Sequence, residues 1–179
     1  MKMSFMDGKR LYLRPLETTD IDRCMAWIND EEILQFLGRR HPMGLVQETE
    51  WLANQYKDED QLNLAIVLKD GDRHIGNGGF NSIDHVNRSA VFGILIGEHD
   101  AWNQGYGSEA ATLIVQYGFQ ELNLHRIELD VFSLNPRARR AYEKVGFKLE
   151  GTKRDSYFRH GAFHDTYVMS VLQSEWRVE

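Results

Sequence analysis

Trp102-Asn103-Gln104-Gly105-Tyr106-Gly107-Ser108-Glu109-Ala110 is the stretch on which the fold turns. Ahead of it, the apolar segment from Val91 to Ile96 reads as a strand. After it, Ala111, Ile114, Val115, Gly118, Phe119 and Leu122 recur three and four residues apart, which traces one face of a helix. A glycine-containing loop therefore joins a strand to a helix. Glycine lets backbone approach a ligand closely, and the first helical turn offers unpaired N–H groups at the positive end of the helix dipole. That combination suits a phosphate or pyrophosphate. Taken alone, the loop equally fits an ordinary strand-to-helix turn that needs glycine for its dihedrals.

The rest of the chain narrows the choice. Its 179 residues most simply make a single domain over 1–179, long enough for a full core. The net charge of −6 is spread along the sequence, which argues against nucleic acid as a partner. Small basic groups stand at Arg39-Arg40-His41 and at Arg137, Arg139 and Arg140, and these fit phosphates or one acidic ligand better than a duplex. Cys24 is the one cysteine, so no internal disulfide can form, and its apolar helical context reads as core. Met1 to Gly8 lacks the apolar run of a signal peptide, and no stretch approaches the ~18 apolar residues of a membrane helix. The expectation is a cytoplasmic protein without a membrane partner.

The alternation of Arg10 to Leu16 predicts a strand. Thr18-Thr19-Asp20, with Asp22 following, predicts an N-cap for a helix running to about Asn29. A second helix is expected from about Glu31 to Leu37, ended by Gly38, and a third from about Val46 to Tyr56. From Leu62 the period shortens. Strands are predicted at Leu62 to Leu68, Arg73 to Ile83 and Ser89 to Ile96, the first two joined by an Asp-Gly turn. With no helix between them, these three form an antiparallel meander. Then come a helix (Gly107 to Leu122), a strand (Arg126 to Phe132), a helix (Pro136 to Val145) and a strand (Phe147 to Phe158). A hairpin at His160-Gly161 leads to the last strand, Thr166 to Leu172. Asn135 as N-cap, Pro136 at the first position and Gly146 at the end mark the last helix sharply. The class is α+β, a mixed sheet of about seven strands with helices packed on it.

Gly105-Tyr106-Gly107-Ser108-Glu109-Ala110 also matches the dinucleotide fingerprint, with Glu128 and Asp130 downstream as acidic partners. A dinucleotide unit opens with βαβ alternation, however, and here an antiparallel meander leads into the loop. No Lys-Ser or Lys-Thr follows the glycines, which excludes a P-loop.

A second constellation, Asn135-Pro136-Arg137-Ala138-Arg139-Arg140-Ala141-Tyr142-Glu143-Lys144-Val145-Gly146-Phe147, follows one strand later. Together with Trp102 to Ala110, it resembles the GNAT superfamily of acyl-CoA-dependent N-acetyltransferases, and within it the RimJ/RimL-type branch. Leu13-Arg14-Pro15-Leu16 with Asp20, and Gly151-Thr152 with the His160-Gly161 hairpin and Asp165, extend the resemblance over nearly the whole chain. The resemblance implies a three-layer α/β/α fold whose fourth and fifth strands run parallel and splay apart.

It also implies roles. The backbone of Ile94, Leu95 and Ile96 would pair with the pantetheine arm of acetyl-CoA. The N–H groups from Asn103 through Gln104, Gly105, Tyr106 and Gly107 to Ser108 would hold its pyrophosphate, and Trp102, which begins the loop, is expected among the CoA-binding residues. Asn135 would bond the pantetheine amides besides capping its helix, and Arg140 is expected among the CoA-binding residues. Tyr142 would protonate the leaving thiolate. The chemistry also needs an oxyanion donor, expected near Leu95 or Ile96, and removal of a proton from an amine of pKa ~10.

One position departs from the family pattern. Ser89-Ala90-Val91-Phe92-Gly93 has valine where similar proteins often carry a glutamate, and Val91 cannot take a proton. His85, Asp84, Glu98 or a water chain are the alternatives. The acceptor is expected between the segment Asn29 to Val46 and the hairpin Tyr157 to Asp165. Arg39 and Arg40 there suit a carboxylate- or phosphate-bearing acceptor, or are simply solvated. The function implied is acetyl transfer from acetyl-CoA to a primary amine, either a protein N-terminus or a small molecule. A polyamine or amino-sugar acceptor is one alternative, and a non-catalytic acyl-CoA sensor another. No metal is expected, and the resemblance suggests a homodimer.

Overall fold

The computed structural model describes residues 4–55 and 57–177. Its centre is a sheet of eight strands in the spatial order β1-β2-β3-β4-β5-β6-β8-β7. These are β1 (Met6–Asp7), β2 (Leu11–Pro15), β3 (Leu62–Leu68), β4 (Arg73–Asp84), β5 (Ser89–Ile96), β6 (Arg126–Phe132), β7 (Lys148–Arg159) and β8 (Ala162–Leu172). The helices are α1 (Ile21–Ile28), α2 (Glu31–Leu37), α3 (Leu45–Asn54), α4 (Tyr106–Gln120) and α5 (Pro136–Val145). The sheet is antiparallel throughout except where β5 meets β6.

Alternation along the strands makes two cores. Leu11, Leu13, Leu64, Ile66 and Leu68 point to one face and pack with Ile114 and Phe119 of α4. Tyr12, Ala65 and Val67 point to the other and pack with Cys24 of α1 and Leu52 of α3. The period of two in the strands thus meets helical stripes on both sides, which gives three layers. Phe80 is fully buried beneath α4, and such a side chain contributes about 3 kcal/mol on burial. The helix can sit that low because Gly118 faces the ring; a Cβ there would lie 2.7 Å from Phe80 Cζ.

Several helix ends follow their sequence signals. The Asp30 carboxylate accepts from the Glu32 N–H at 2.8 Å, and Gly38 ends α2 in the left-handed region at φ 70°. Asn135 Oδ1 accepts from the Ala138 N–H at 3.0 Å, and Gly146 closes α5 at φ 108°. The start of α1 differs from expectation. Thr18–Asp20 form a 3₁₀ turn, and the Asp20 carboxylate turns back to the Glu17 N–H at 2.8 Å. Asp20 is drawn inward by Arg14, whose two Nη atoms donate to its oxygens at 2.7 Å, so neither threonine is the capping residue. α3 starts at Leu45 and its last helical residue is Asn54; the expected end at Tyr56 lies outside the described residues. The count of eight strands, where about seven were expected, reflects the two-residue β1, and β8 starts four residues earlier than its pattern suggests, at Ala162.

The parallel contact is short. Ser89, Ala90 and Val91 pair with Arg126, Ile127 and Glu128, and there the pairing ends. β5 stays paired with β4 as far as Ile96, and β6 stays paired with β8 as far as Phe132, so each strand follows its other neighbour and the two diverge. The register of β4 against β5 shifts at the same level, between Phe80 and Ser82, leaving Asn81 as a bulge. A bulge bends its strand and raises local twist. The expected splay is therefore present.

Candidate active site

The opening between β5 and β6 carries two cavities. The first, about 280 Å³, is lined by Ile94, Leu95, Ile96, Trp102, Asn103, Gly105, Tyr106, Gly107, Ser108, Asn135, Arg140 and Tyr142, with Arg137 and Phe36 among its further walls. Of the residues expected to bind the donor, Gln104 alone does not line it. Its carbonyl faces away and accepts from Arg10 Nη1 at 2.8 Å. Arg10 also donates through its N–H and its Nε to the Glu109 carboxylate, both at 2.8 Å, and its guanidinium lies 4.5 Å from the Tyr106 ring centre. Burial works against ionisation of Glu109, but the bonds from Arg10 hold its carboxyl below the ordinary value. Arg10 thus clamps the loop from a position 99 residues away in sequence, where no local signal marks it.

The loop geometry suits an anion. Asn103 at φ 60° and Gly105 at φ 81° are both left-handed, which turns successive N–H groups toward one side. The first bond of α4 runs from the Glu109 N–H to the Gly105 carbonyl at 3.1 Å, so the N–H groups of Tyr106, Gly107 and Ser108 have no partner within the helix. A Cβ on Gly107 would meet only Ile96 Cγ1, at 3.6 Å, so its Cα faces open space toward the cavity.

Trp102 ties this loop to the strand. Its Nε1 donates to the Ile96 carbonyl at 2.7 Å. The His99 ring stacks on it at 4.3 Å and the Arg137 guanidinium lies 3.9 Å from its centroid. Burial pushes the Arg137 pKa down, yet a guanidinium starts so high that it keeps its charge at the cavity wall. Sequence reasoning had Arg137 only as one of a basic cluster; the stacking on Trp102 is what singles it out.

The β5 backbone is divided between two neighbours. The Gly97 N–H donates to the Ile75 carbonyl at 2.8 Å, and antiparallel alternation then turns the polar groups of Leu95 toward β4. Those of Ile94 and Ile96 turn into the opening. Of the three residues expected to meet the pantetheine arm, Leu95 therefore has its N–H and carbonyl directed into the sheet, and Ile96 has its carbonyl on Trp102.

Tyr142 stands where the cavities meet and lines both. It is 9% exposed, edge-on to Phe92 and Phe147, and burial raises its pKa to about 12. Its phenol is therefore protonated across the physiological range and has a proton to give there.

The second cavity, about 450 Å³, lies toward α1 and α3. It shares Ile94, Leu95, Asp130, Phe132 and Tyr142 with the first, along with Phe36 and Leu37 of α2. Its own walls include Arg39, Met43, Glu48, Trp51, Asn77, Asn81 and Val91. The expected segment before Val46 contributes, but the hairpin from Tyr157 to Asp165 does not. That hairpin instead supports the wall, since the Tyr157 ring stacks on Phe132 at 3.7 Å and its hydroxyl donates to the Gln35 carbonyl at 2.9 Å. In the cavity wall Cys24 is 4% exposed and belongs to the core, as expected, and burial lifts its thiol to about 11.

The groups considered as bases lie elsewhere. Asp84 accepts from the N–H groups of Val86 and Asn87 in its own turn, His85 faces Asp60 at 3.1 Å on the surface, and Glu98 accepts from Trp27 Nε1 at 3.1 Å. Glu48, which sequence reasoning passed over, is 5% exposed and lines the second cavity. Its signal was legible: it sits four residues before Leu52, on the buried stripe of α3. No cluster of three or more His, Cys, Asp or Glu suited to a metal occurs among the described residues.

Known proteins match this arrangement. The model of the acetyltransferase (GNAT) domain matches residues 10–148. An uncharacterized N-acetyltransferase, p20 of Bacillus licheniformis, is 32% identical over 97% of this chain and 99% of its own. A solved structure of spermidine N-acetyltransferase from Vibrio cholerae, in complex with CoA and spermine, superimposes with a TM-score of 0.86 at 27% identity, over 93% of this chain and 97% of that one. A dodecameric structure of the same kind of enzyme from Vibrio cholerae gives a TM-score of 0.78 at 27% identity, over 92% and 95% of the two chains.

Proposed function

This chain belongs to the acetyltransferase (GNAT) family, and from that premise we propose that its acceptor is a polyamine received in the second cavity. The reaction is transfer of acetyl from acetyl-CoA to a primary amine. The meeting of the two cavities at Tyr142 carries the proposal: a thioester held in the first and an amine held in the second come together beside that phenol. The donor half needs the first cavity's N–H groups for pyrophosphate, the Ile94 and Ile96 backbone for the pantetheine arm, and Asn135, Arg137 and Arg140 around it. Tyr142 gives its proton to the departing sulfur.

The acceptor reading draws on the walls and on kinship. Glu48 and Asp130 are the two carboxylates on the wall of the second cavity, with Asn77 and Asn81 as further polar lining, and this acidic wall suits an ammonium group. The solved relative binds spermine. The sequence resembled the RimJ/RimL branch, which suggested a protein N-terminus as acceptor; kinship with spermidine enzymes favours the polyamine instead. Self-association belongs to the proposal too, and the dodecamer of the Vibrio cholerae enzyme supports an assembly larger than the expected homodimer.

A second reading rests on Arg39, whose Nε is buried without a hydrogen-bond partner and whose side chain lines the second cavity. That cation favours an acceptor bearing a carboxylate. Thiol release from acetyl-CoA with spermidine, spermine, amino acids and amino sugars separates the two, using wild type and Arg39→Gln. Under the polyamine reading, spermidine and spermine are the preferred acceptors and Arg39→Gln leaves or improves their KM. Turnover confined to anionic amines, lost in Arg39→Gln, overturns it.

A further inference from the structure

We propose that Glu48 is the proton acceptor of the transfer, taking over the task that Val91 cannot perform. The inference rests on the reading of the second cavity as the acceptor site. Val91, 38% exposed, and Glu48 line the same cavity as Tyr142, so a carboxylate on α3 faces the space that a carboxylate at position 91 would have faced. Glu48 is 5% exposed, and its side chain has no hydrogen bond or ion pair among the described residues. An acid buried in that way is costly unless a ligand satisfies it, and an ammonium group is such a ligand.

Its surroundings favour proton uptake. Burial pushes the Glu48 carboxyl up, and the Arg39 guanidinium opposes that. The other titratable groups around it are the Cys24 thiol of α1, the Tyr142 phenol of α5 and Asp130 of β6, which share the cavity wall. Asp130 is the one other carboxylate of that wall, and it is exposed and ion-paired to Lys153 Nζ at 2.6 Å. A raised carboxyl lies closer to the amine's own pKa and is the better base.

The step balances as follows. The substrate ammonium gives one proton to Glu48, leaving a neutral amine. Its lone pair adds to the thioester carbonyl, the C–S bond breaks, and the sulfur takes the phenolic proton of Tyr142. The nitrogen's second proton restores Tyr142, and Glu48 releases its own to solvent. One amide, one thiol and one proton result.

Glu48→Gln tests the assignment, with thiol release followed from pH 6.5 to 10 and CoA affinity measured by calorimetry. Two acceptors are compared: an alkyl amine of pKa ~10 and an α-amine of pKa ~8. The variant is expected to bind CoA as wild type does. With the alkyl amine at pH 7 its kcat should fall on the order of 100-fold. The deficit should shrink by up to about tenfold per pH unit as solvent deprotonates the amine, and should be smaller for the α-amine. A deficit of equal size at every pH and for both amines would make Glu48 a binding residue only and overturn the proposal, as would wild-type kcat. Should Glu48→Gln melt at assay temperature, Glu48→Asp is read instead. A lowered kcat with the wild-type pH profile is expected, and a profile rising continuously with pH overturns. If polyamines are not turned over but another amine is, the acceptor reading fails while this comparison runs on that amine.

Discussion

The Trp102 indole donates to the Ile96 carbonyl at 2.7 Å, so the last residue of β5 and the first residue of the glycine loop hold each other in place. One edge of the first cavity is the strand and the other is the loop, and this bond ties them together. Trp102→Phe keeps an aromatic ring beneath Arg137 and removes the donor. Losing a bond of this kind costs about 1 kcal/mol, close to a fivefold change in an equilibrium constant. CoA affinity measured by calorimetry should fall by about that factor, with the melting temperature lowered by only a few degrees.

Gly107 separates a role in the fold from a role in binding. A Cβ there meets nothing nearer than Ile96 Cγ1 at 3.6 Å, and the residue does not need a left-handed backbone. Gly107→Val should therefore melt close to wild type. Its methyl groups would enter the space beside the free N–H groups of α4, and CoA affinity should drop by tenfold or more, on the order of 1.4 kcal/mol. A loss of folding in step with the loss of affinity would show that the glycine serves the turn alone.

Asp20 predicts the acid limit of stability. Burial opposes its ionisation, but the bonds from Arg14 and the Glu17 N–H, with the His74 ring 3.2 Å away, outweigh that and hold its carboxyl far below the ordinary range. A depressed folded pKa means that the stabilisation is complete above the unfolded value near ~3.9 and is lost as pH falls toward the folded value. The urea midpoint of wild type should fall below about pH 4. Asp20→Asn should be less stable at pH 7 by on the order of 3 kcal/mol, since it leaves the partly buried Arg14 without its carboxylate, and should be flatter in acid.

How far the sequence could be read depended on how local each cause is. The bounds of α2, β3, β5, β6 and α5 were legible residue for residue, because each is written in its own period and, for the helices, in end signals such as Gly38, Asn135 and Gly146. The first cavity was legible for the same reason, being built largely of two contiguous stretches around Gly105 and Asn135. Arg10 on the loop and Arg137 on Trp102 were not, since those contacts join residues brought together only by folding. The second cavity sets scattered residues of α1, α2, α3 and β4 against a run of β5, and its expected hairpin wall serves instead as a buttress for Phe132. Thr18 and Thr19 had the right chemistry for a cap, yet Arg14 captured Asp20 and moved the turn.

The account stands on Tyr142 as the proton donor at the junction of the two cavities, and its pKa of about 12 keeps the phenol protonated well above neutrality. The most direct measurement is polyamine-dependent thiol release from acetyl-CoA by wild type and Tyr142→Phe, with CoA affinity measured in parallel. The prediction is that kcat falls by on the order of 10² or more while CoA binds as before. A Tyr142→Phe enzyme that turns over within a few-fold of wild type would contradict it.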